Sequence, residues 1–279
     1  MRIDLHSHST ASDGRLSPTQ LVELARDRDV GTLALTDHDT LRGIAEAQAA
    51  GAQMGVRVIA GIEISTLFNG SKEAHILGYG MRPTDEATRA TIASLQPLRA
   101  SRARAILDRL ALLGVPVAFD AVAALAGDGM IGRPHIARAM VAAGLVPNFQ
   151  TAFDRFLAEG QPAFVPNDAL TPAQAVELIH AAHGVAVLAH PCLFQGDLEA
   201  LFAALIAAGL DGIEVYHPEN PAADRLALLE RARRNDLLIT GGSDFHGLSA
   251  DGDASLGSMT IPAGVVESLD ARINASSGV

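Results

Sequence analysis

Imidazole and carboxylate side chains recur in this sequence at spacings that suit a metal site. His6 and His8 are two residues apart at the end of a predicted strand, where the alternation of side chains lets both rings point the same way. Asp244 and His246 repeat this spacing after the last predicted strand. Further candidates at or near strand ends are Asp13, His38, Glu63, His75 and His190. Because the carboxyl ends of barrel strands converge on one face, the pattern predicts a common metal centre.

Each candidate also has a purely structural explanation. His75 could be a hydrogen-bonded strand histidine, and His190 could belong to a His-Pro sequence that ends a strand. Asp37 and Asp39 could cap a helix or face solvent. Chance placement of so many ligand-type residues at successive strand ends is less favoured than a metal site.

Three other histidines are interpreted separately. His180 and His183 lie on a predicted helix, which favours a surface or partly buried position, whereas His217 follows a strand and is ambiguous.

Short apolar segments that alternate with helical ones must position these side chains. The Ser17-Pro18 and Thr171-Pro172 pairs predict helix starts, with a capping residue followed by proline. Alternation of this kind implies a mostly parallel sheet, either closed as a barrel or open and doubly wound. The predicted strands are residues 2–6, 32–36, 56–64, 72–79, 185–189, 212–216 and 237–240.

The alternation of short apolar segments with helical ones stops in the middle of the chain. Residues 84–165 predict helices with at most one strand, near residues 163–165, and this segment is interpreted as a helical insertion that forms a substrate cap over the carboxyl-terminal face. Residues 1–83 and 166–279 would then form the metal-binding barrel. The predicted helices of the insertion are residues 95–113, 119–126, 135–143 and 149–157.

Composition limits the function classes. The net charge of −11 argues against extended duplex nucleic acid, which basic surfaces usually bind, but not against a small anionic substrate beside bound cations. No apolar run is long enough to span a bilayer. The one cysteine, Cys192, excludes an internal disulfide and a thiolate-rich zinc site, and its expected role is apolar filler. These features predict a cytoplasmic enzyme without a membrane partner.

Five segments together resemble the signature of the PHP family, the polymerase and histidinol phosphatase domains. They are residues 3–9 (IDLHSHS), 36–39 (TDHD), 61–65 (GIEIS), 189–191 (AHP) and 242–246 (GSDFH). The resemblance covers residues 1 to about 83 and about 166 to 260. It implies an α/β fold, a distorted seven-stranded TIM-like (β/α) barrel related to the amidohydrolases.

The same resemblance implies three metal positions. The first would have the ligands His6, His8, Glu63 and Asp244; the second Glu63, His75 and His190; the third Asp13, His38 and His246. Family members often have histidine at the position of Asp13, so this chain departs from the pattern there.

The insertion carries a narrower resemblance, to the PHP subgroup of 3′,5′-nucleoside bisphosphate phosphatases and 5′-to-3′ exoribonucleases. Its segments are residues 101–102 (SR), 131–137 (IGRPHIA) and 162–166 (PAFVP). It implies that Arg99, Arg102, Arg133 and His135 bind substrate, because the donors at a predicted helix start suit a phosphate. The alternative is that these arginines are solvated helix charges.

A site of imidazole and carboxylate without thiolate suits manganese, iron or zinc, and the oxygen ligand Asp13 favours Mn²⁺. Two close metal ions lower the pKa of a bridging water and supply hydroxide as the nucleophile, with Glu63, His190 and Asp244 as the catalytic ligands. The expected reaction is removal of the 3′-phosphate of adenosine 3′,5′-bisphosphate to give AMP. The proton donor to the leaving group is not identified, and His217 and His135 are the candidates.

Other functions stay open at this point. Short RNA as substrate of a 5′-to-3′ exoribonuclease and histidinol phosphate are alternatives within the phosphoesterases. A hydrolase acting on amides would use the same barrel and metals, and a structural PHP module would need no catalysis. The arginines of the insertion and the nearly complete ligand set favour a phosphatase over both.

Overall fold

The computed structural model describes residues 1–127, 131–166, 170–247 and 256–276. Seven strands form one sheet in chain order, β1 to β7. They are β1 (Arg2–Asp4), β2 (Val30–Leu35), β3 (Arg57–Phe68), β4 (Lys72–Tyr79), β5 (Val185–Leu188), β6 (Gly212–Tyr216) and β7 (Leu238–Gly241).

The sheet is mostly parallel, as the sequence predicts, and it contains one antiparallel strand. Strand β4 pairs antiparallel with both β3 and β5, whereas the other neighbouring strands pair in parallel. The turn before β4 contains Asn69 and Gly70, whose φ angles are 51° and 68°. Both angles are in the left-handed region that asparagine and glycine tolerate, and this pair is a common hairpin signal.

The two edges of the sheet meet beyond the ends of β1 and β7. Leu5 N donates to Gly241 O at 3.0 Å, and His8 N donates to Phe245 O at 2.9 Å. The strands themselves do not close into a continuous sheet, but these contacts give the TIM-like arrangement that the sequence predicts, and they place His6, His8 and Asp244 side by side.

Ten α-helices occur in the described residues. Ser17 and Thr171 form the expected capping boxes with Gln20 and Gln174. The helices are α1 (Pro18–Asp27), α2 (Ile44–Met54), α3 (Glu86–Leu112), α4 (Phe119–Ala126), α5 (Arg133–Ala142), α6 (Phe149–Ala152), α7 (Pro172–Ala181), α8 (Leu198–Ala207), α9 (Ala222–Arg234) and α10 (Gly264–Ser276).

Several local predictions were wrong. The helix expected over residues 149–157 becomes π-helical from Phe153 to Leu157. Residues 163–165 form no strand, and the carbonyls of Phe164 and Val165 accept hydrogen bonds from Arg109 and Arg102. Asn220, which precedes α9, is buried, and its amide donates to the backbone of β6.

The apolar side chains form separate clusters. One lies between the sheet and its flanking helices, and a second joins strand residues such as Leu77 and Val187 with Leu269 of α10. The third belongs to α3–α6 and includes Ile106, Ile136 and Met140. The insertion therefore has an apolar core of its own. Within the described residues, no helix has the length and apolar character that membrane crossing requires.

Candidate metal centre

The Glu63 carboxylate lies at the centre of a ring of histidines. Its Oε1 is 2.8 Å from His75 Nδ1 and 3.0 Å from His190 Nε2. Its Oε2 is 3.1 Å from His38 Nδ1, 3.2 Å from His8 Nε2 and 3.4 Å from His6 Nε2. The structure thus brings together five histidines from different strands and loops around one buried carboxylate.

The positions of Glu63 and His75 differ from the simple picture of strand ends. Glu63 lies in the middle of β3, which continues to Phe68. His75 pairs with Ser65 across the antiparallel β3–β4 hairpin, so β4 presents its amino-terminal half to the site. The β3–β4 hairpin extends past the ends of the other strands. It therefore brings the Glu63 and His75 side chains to the face of the sheet where the other ligand-type residues lie.

A second group surrounds Asp13. One ligand-type atom from each of His8, Asp13, His38 and His246 lies within 4.8 Å of the others. His246 Nε2 is 3.4 Å from Asp13 Oδ1. The loop before Asp13 is fixed because Asp37 accepts hydrogen bonds from Ser9 and Ser12.

Buried polar atoms test whether metal ions fit the site. Among the described residues, both ring nitrogens of His8, Nε2 of His6 and Oδ1 of Asp244 are buried, and none makes a hydrogen bond of acceptable geometry, although charged neighbours lie close to them. Leaving such an atom without a partner costs roughly 1–3 kcal/mol. One atom each from His6, His8, Glu63 and Asp244 lies within 4.8 Å of the others. Because imidazole and carboxylate suit divalent transition metals, these residues fit such an ion.

The charges of the cluster depend on one another. Burial lowers the pKa of His8, but the carboxylates of Asp244 and Glu63 outweigh burial and raise that pKa to about 10. Conversely, burial raises the pKa of Glu63, whereas His38 and His75 hold it well below its ordinary value. Protonated histidines must release their protons before the ring nitrogens can bind a metal, so metal binding is linked to pH.

Sequence reasoning missed Glu214 of β6. Its Oε1 is 2.9 Å from His6 Nδ1, and its Oε2 accepts a hydrogen bond from His190 N at 2.8 Å. A carboxylate on the outer nitrogen of a metal-binding histidine fixes the orientation of its ring. The available signal was an acidic residue at the centre of a short apolar strand (GIEVY).

The backbone is strained at three residues of the site. Asp39, His190 and Asp244 have φ angles of 53°, 26° and 53°. Non-glycine residues in this region cost roughly 1–3 kcal/mol each and persist where their surroundings fix them. In this site the strain turns His190 and Asp244 towards the ligand cluster.

A cavity of 380 Å³ connects this cluster with the insertion. Its walls include His190 and Asp244 on one side and Arg102 and Arg133 on the other. Ile106, Ile131 and Phe153 add apolar surface.

Both arginines form ion pairs with Glu73 of β4. Burial raises the pKa of Glu73, but Arg133 and Arg102 outweigh burial and lower that pKa to about 2. Glu73 is therefore charged at neutral pH, and the arginines are not solvated helix charges.

The remaining predicted residues have different surroundings. Arg99 lies in α3, and its side chain is outside the described part of the structure. His135 is buried, and its Nδ1 accepts a hydrogen bond from Gly132 N at the start of α5. His217 is also buried, with its Nε2 3.6 Å from Asp244 Oδ2. Among the described residues, neither histidine lines the cavity.

The fold and this cluster together define a metal-dependent phosphoesterase, and the chain belongs to the PHP family. The PHP domain matches residues 4–111. A 5′-3′ exoribonuclease of Haemophilus influenzae is 42% identical over 248 residues, which are 88% of this chain and 90% of the relative. A 3′,5′-nucleoside bisphosphate phosphatase of Chromobacterium violaceum is 38% identical over 248 residues, 88% of this chain and 87% of the relative.

A solved structure agrees with this assignment. A Bifidobacterium adolescentis protein, provisionally classified as a metal-dependent phosphoesterase, has a TM-score of 0.87 and 32% identity, and the match covers 96% of this chain and 95% of that chain. The family and its hydrolytic chemistry are therefore shown.

Proposed function

We propose that this enzyme hydrolyses the 3′-phosphate of nucleoside 3′,5′-bisphosphates, such as adenosine 3′,5′-bisphosphate, to give AMP and phosphate. The observation that carries the proposal is the single cavity with metal-ligand residues on one wall and Arg102 and Arg133 on the other. A substrate with two phosphates can use both walls. The bisphosphate phosphatase named above supports the same reaction.

Three groups of residues would hold the metal ions, for which we propose manganese, with Fe²⁺ and Zn²⁺ as alternatives. When bound, the ions would lower the pKa of a water molecule for attack and neutralise charge on the phosphoryl oxygens. The groups are His6, His8, Glu63 and Asp244; Glu63, His75 and His190; and Asp13, His38 and His246.

The chain's own residues would orient the substrate. Guanidinium groups bind phosphate with paired hydrogen bonds, so Arg102 and Arg133 would hold the 5′-phosphate. Ile106, Ile131 and Phe153 would cover the apolar faces of the sugar and base. Fixing the far end of the substrate places the 3′-phosphate against the ligand cluster, which raises the rate through orientation.

A second candidate is a 5′-to-3′ exoribonuclease acting on short RNA, because the relative with 42% identity carries that name. A 5′-phosphate on RNA could use the same arginines. Histidinol phosphate fits less well, since its non-reacting end is cationic and would face two guanidinium groups. A purely structural module would not need the full ligand cluster.

A panel of phosphate esters assayed with manganese tests the proposal. It comprises adenosine 3′,5′-bisphosphate, adenosine 3′-monophosphate, a 5′-phosphorylated short RNA, histidinol phosphate and an aryl phosphate. We expect kcat/KM for the bisphosphate to exceed that for the 3′-monophosphate by roughly tenfold or more, because one charged hydrogen-bonded contact contributes that much. Equal values for these two substrates would contradict the proposal, and faster cleavage of RNA would favour the second candidate.

A further inference from the structure

One carboxylate joins the two arginines of the substrate cavity. Arg102 Nη2 donates to Glu73 Oε1, and Arg133 Nη2 donates to Glu73 Oε2 at 2.6 Å. The arginines come from α3 and α5 of the insertion, whereas Glu73 comes from β4 of the barrel. Each oxygen of Glu73 thus receives a different guanidinium group.

In the described part of the structure, Glu73 is not among the residues that line the substrate cavity. It lines a neighbouring cavity of 220 Å³ with Glu159 and His75, whereas Arg102 and Arg133 line the cavity that contains the ligand cluster. Glu73 and His75 are two residues apart on β4, so their side chains leave the same face of the strand. The strand therefore fixes the distance between the Glu73 carboxylate and the metal centre.

Further contacts restrict the same guanidinium groups. Arg102 Nε donates to Val165 O at 3.0 Å, and Arg133 Nη1 donates to Leu157 O at 3.3 Å. The Phe164 ring centre is 5.7 Å from the Arg102 guanidinium carbon and 5.6 Å from that of Arg133. Both arginines are thus held in one orientation.

We propose that Glu73 is a positioning residue that holds Arg102 and Arg133 together as one binding unit for the non-reacting phosphate of the substrate. This inference rests on the proposed function of the same cavity. Free arginine side chains lose rotamer entropy when they bind a ligand, and holding them in place beforehand removes part of that cost. The carboxylate therefore strengthens phosphate binding although its own charge is negative.

The test compares Glu73→Gln with Glu159→Gln in the metal-loaded enzyme. Glu159 lines the same neighbouring cavity as Glu73 and pairs with Lys72, so its substitution removes a nearby charge without touching the arginines. We expect Glu73→Gln to raise KM for adenosine 3′,5′-bisphosphate roughly 10- to 100-fold, the effect of a lost charged hydrogen bond. Its kcat on an aryl phosphate should stay within about twofold of wild type, because that substrate does not need the arginines. Glu159→Gln should change neither value, and Glu73→Asp, which keeps the charge, should fall between Glu73→Gln and wild type.

Two outcomes would overturn the positioning role. A lower KM in Glu73→Gln would mean that the carboxylate only opposes the substrate's negative charge. Equal losses on the bisphosphate and the aryl phosphate would mean that Glu73 supports the fold or the metal centre.

Inhibition of aryl phosphate hydrolysis by adenosine 5′-monophosphate separates this inference from the proposed function. The inhibitor presents a 5′-phosphate without requiring turnover of a bisphosphate. If wild type shows no preference for the bisphosphate, the proposed function fails. The positioning role is still supported if adenosine 5′-monophosphate inhibits Glu73→Gln more weakly than it inhibits wild type. Unchanged inhibition would overturn it.

Discussion

The barrel and the helical insertion hold their functional side chains in different ways. In the barrel, the ligand cluster is fixed by strands, by strained backbone and by buried carboxylates such as Glu214. The insertion has its own apolar core and reaches the site through long arginine side chains. Glu73 connects the two regions through its ion pairs with Arg102 and Arg133. Arg138 of the insertion also contacts the barrel, because its Nη2 donates to Asp13 O at 2.7 Å.

Under the proposed function, this contrast would separate reaction chemistry from substrate choice. A barrel change at the ligand cluster should impair every phosphate ester alike, because all of them need the same reacting centre. A change among the arginines of the insertion should impair only substrates that carry a second phosphate. Substitutions in the two regions can therefore be told apart by their substrate dependence.

Metal removal should have the largest effect. Chelation should abolish hydrolysis of both the bisphosphate and the aryl phosphate, and added Mn²⁺ should restore both, because both reactions depend on the same ligand cluster. Elemental analysis after purification without chelators should find at least two metal equivalents. Less than one equivalent, with no activity regained on adding manganese, would reject the metal centre.

Glu63→Gln should have the second-largest effect on activity. The substitution keeps the shape of the side chain but removes the charge shared by the histidines around it. Because metal-ion catalysis contributes several kcal/mol, we expect kcat on both substrates to fall roughly a thousandfold or more. Circular dichroism should show an unchanged fold. A variant that keeps most of its manganese-dependent activity would show that Glu63 is not a shared ligand.

Arg133→Ala should have a smaller and selective effect. Loss of a bidentate charged contact should lower kcat/KM for the bisphosphate by roughly ten- to a thousandfold, with little change on an aryl phosphate. Arg104→Ala is the matched control, since Arg104 stacks on Phe119 at 4.2 Å and does not line the cavity within the described residues. Equal losses on both substrates would assign Arg133 to the fold instead.

The smallest effect concerns stability alone. The hydrogen bond with Asp211 raises the pKa of His180 above its ordinary value of 6.5, although burial acts against it. This raised pKa contributes stability below about pH 6.5, and the contribution is lost as the pH rises through the pKa of the folded state. His180→Gln should therefore lower the free energy of unfolding by about 0.5 kcal/mol at about pH 5.5, because the pair is partly exposed.

Denaturant titration of both proteins at about pH 5.5 and about pH 9 measures this difference. It should shrink at the higher pH, and activity should not change at either. A difference that grows with pH would contradict the assignment of the raised pKa to His180.

Much of this architecture could be predicted from local sequence. The Ser17 and Thr171 caps were predicted from two residues each, and the bounds of β4 and β6 agree with the structure. The antiparallel direction of β4 does not follow from the alternation of strands and helices, which predicts parallel strands. The Asn69-Gly70 pair between β3 and β4 is the local signal of the hairpin.

Long-range contacts were beyond the reach of local patterns. The structure gathers the predicted ligands around Glu63 and Asp13. Glu214, which contacts His6, and Glu73, which pairs with Arg102 and Arg133, were not predicted. Each is an acidic residue inside a strand, and its meaning depends on side chains far away in sequence. The capping position of His135 likewise depends on the backbone geometry of Gly132 rather than on residue type.

The insertion also has a consequence for the order in which the chain can assemble. Tyr79 of β4 is paired with Val185 of β5, although about 100 residues separate them in sequence. During synthesis the first four strands leave the ribosome long before their remaining partners, and β4 keeps an open edge until the insertion has followed. An early apolar core within α3–α6 would shorten the effective loop between the two halves of the sheet. The helices to which we assign substrate selection would then also help β5 to pair with β4.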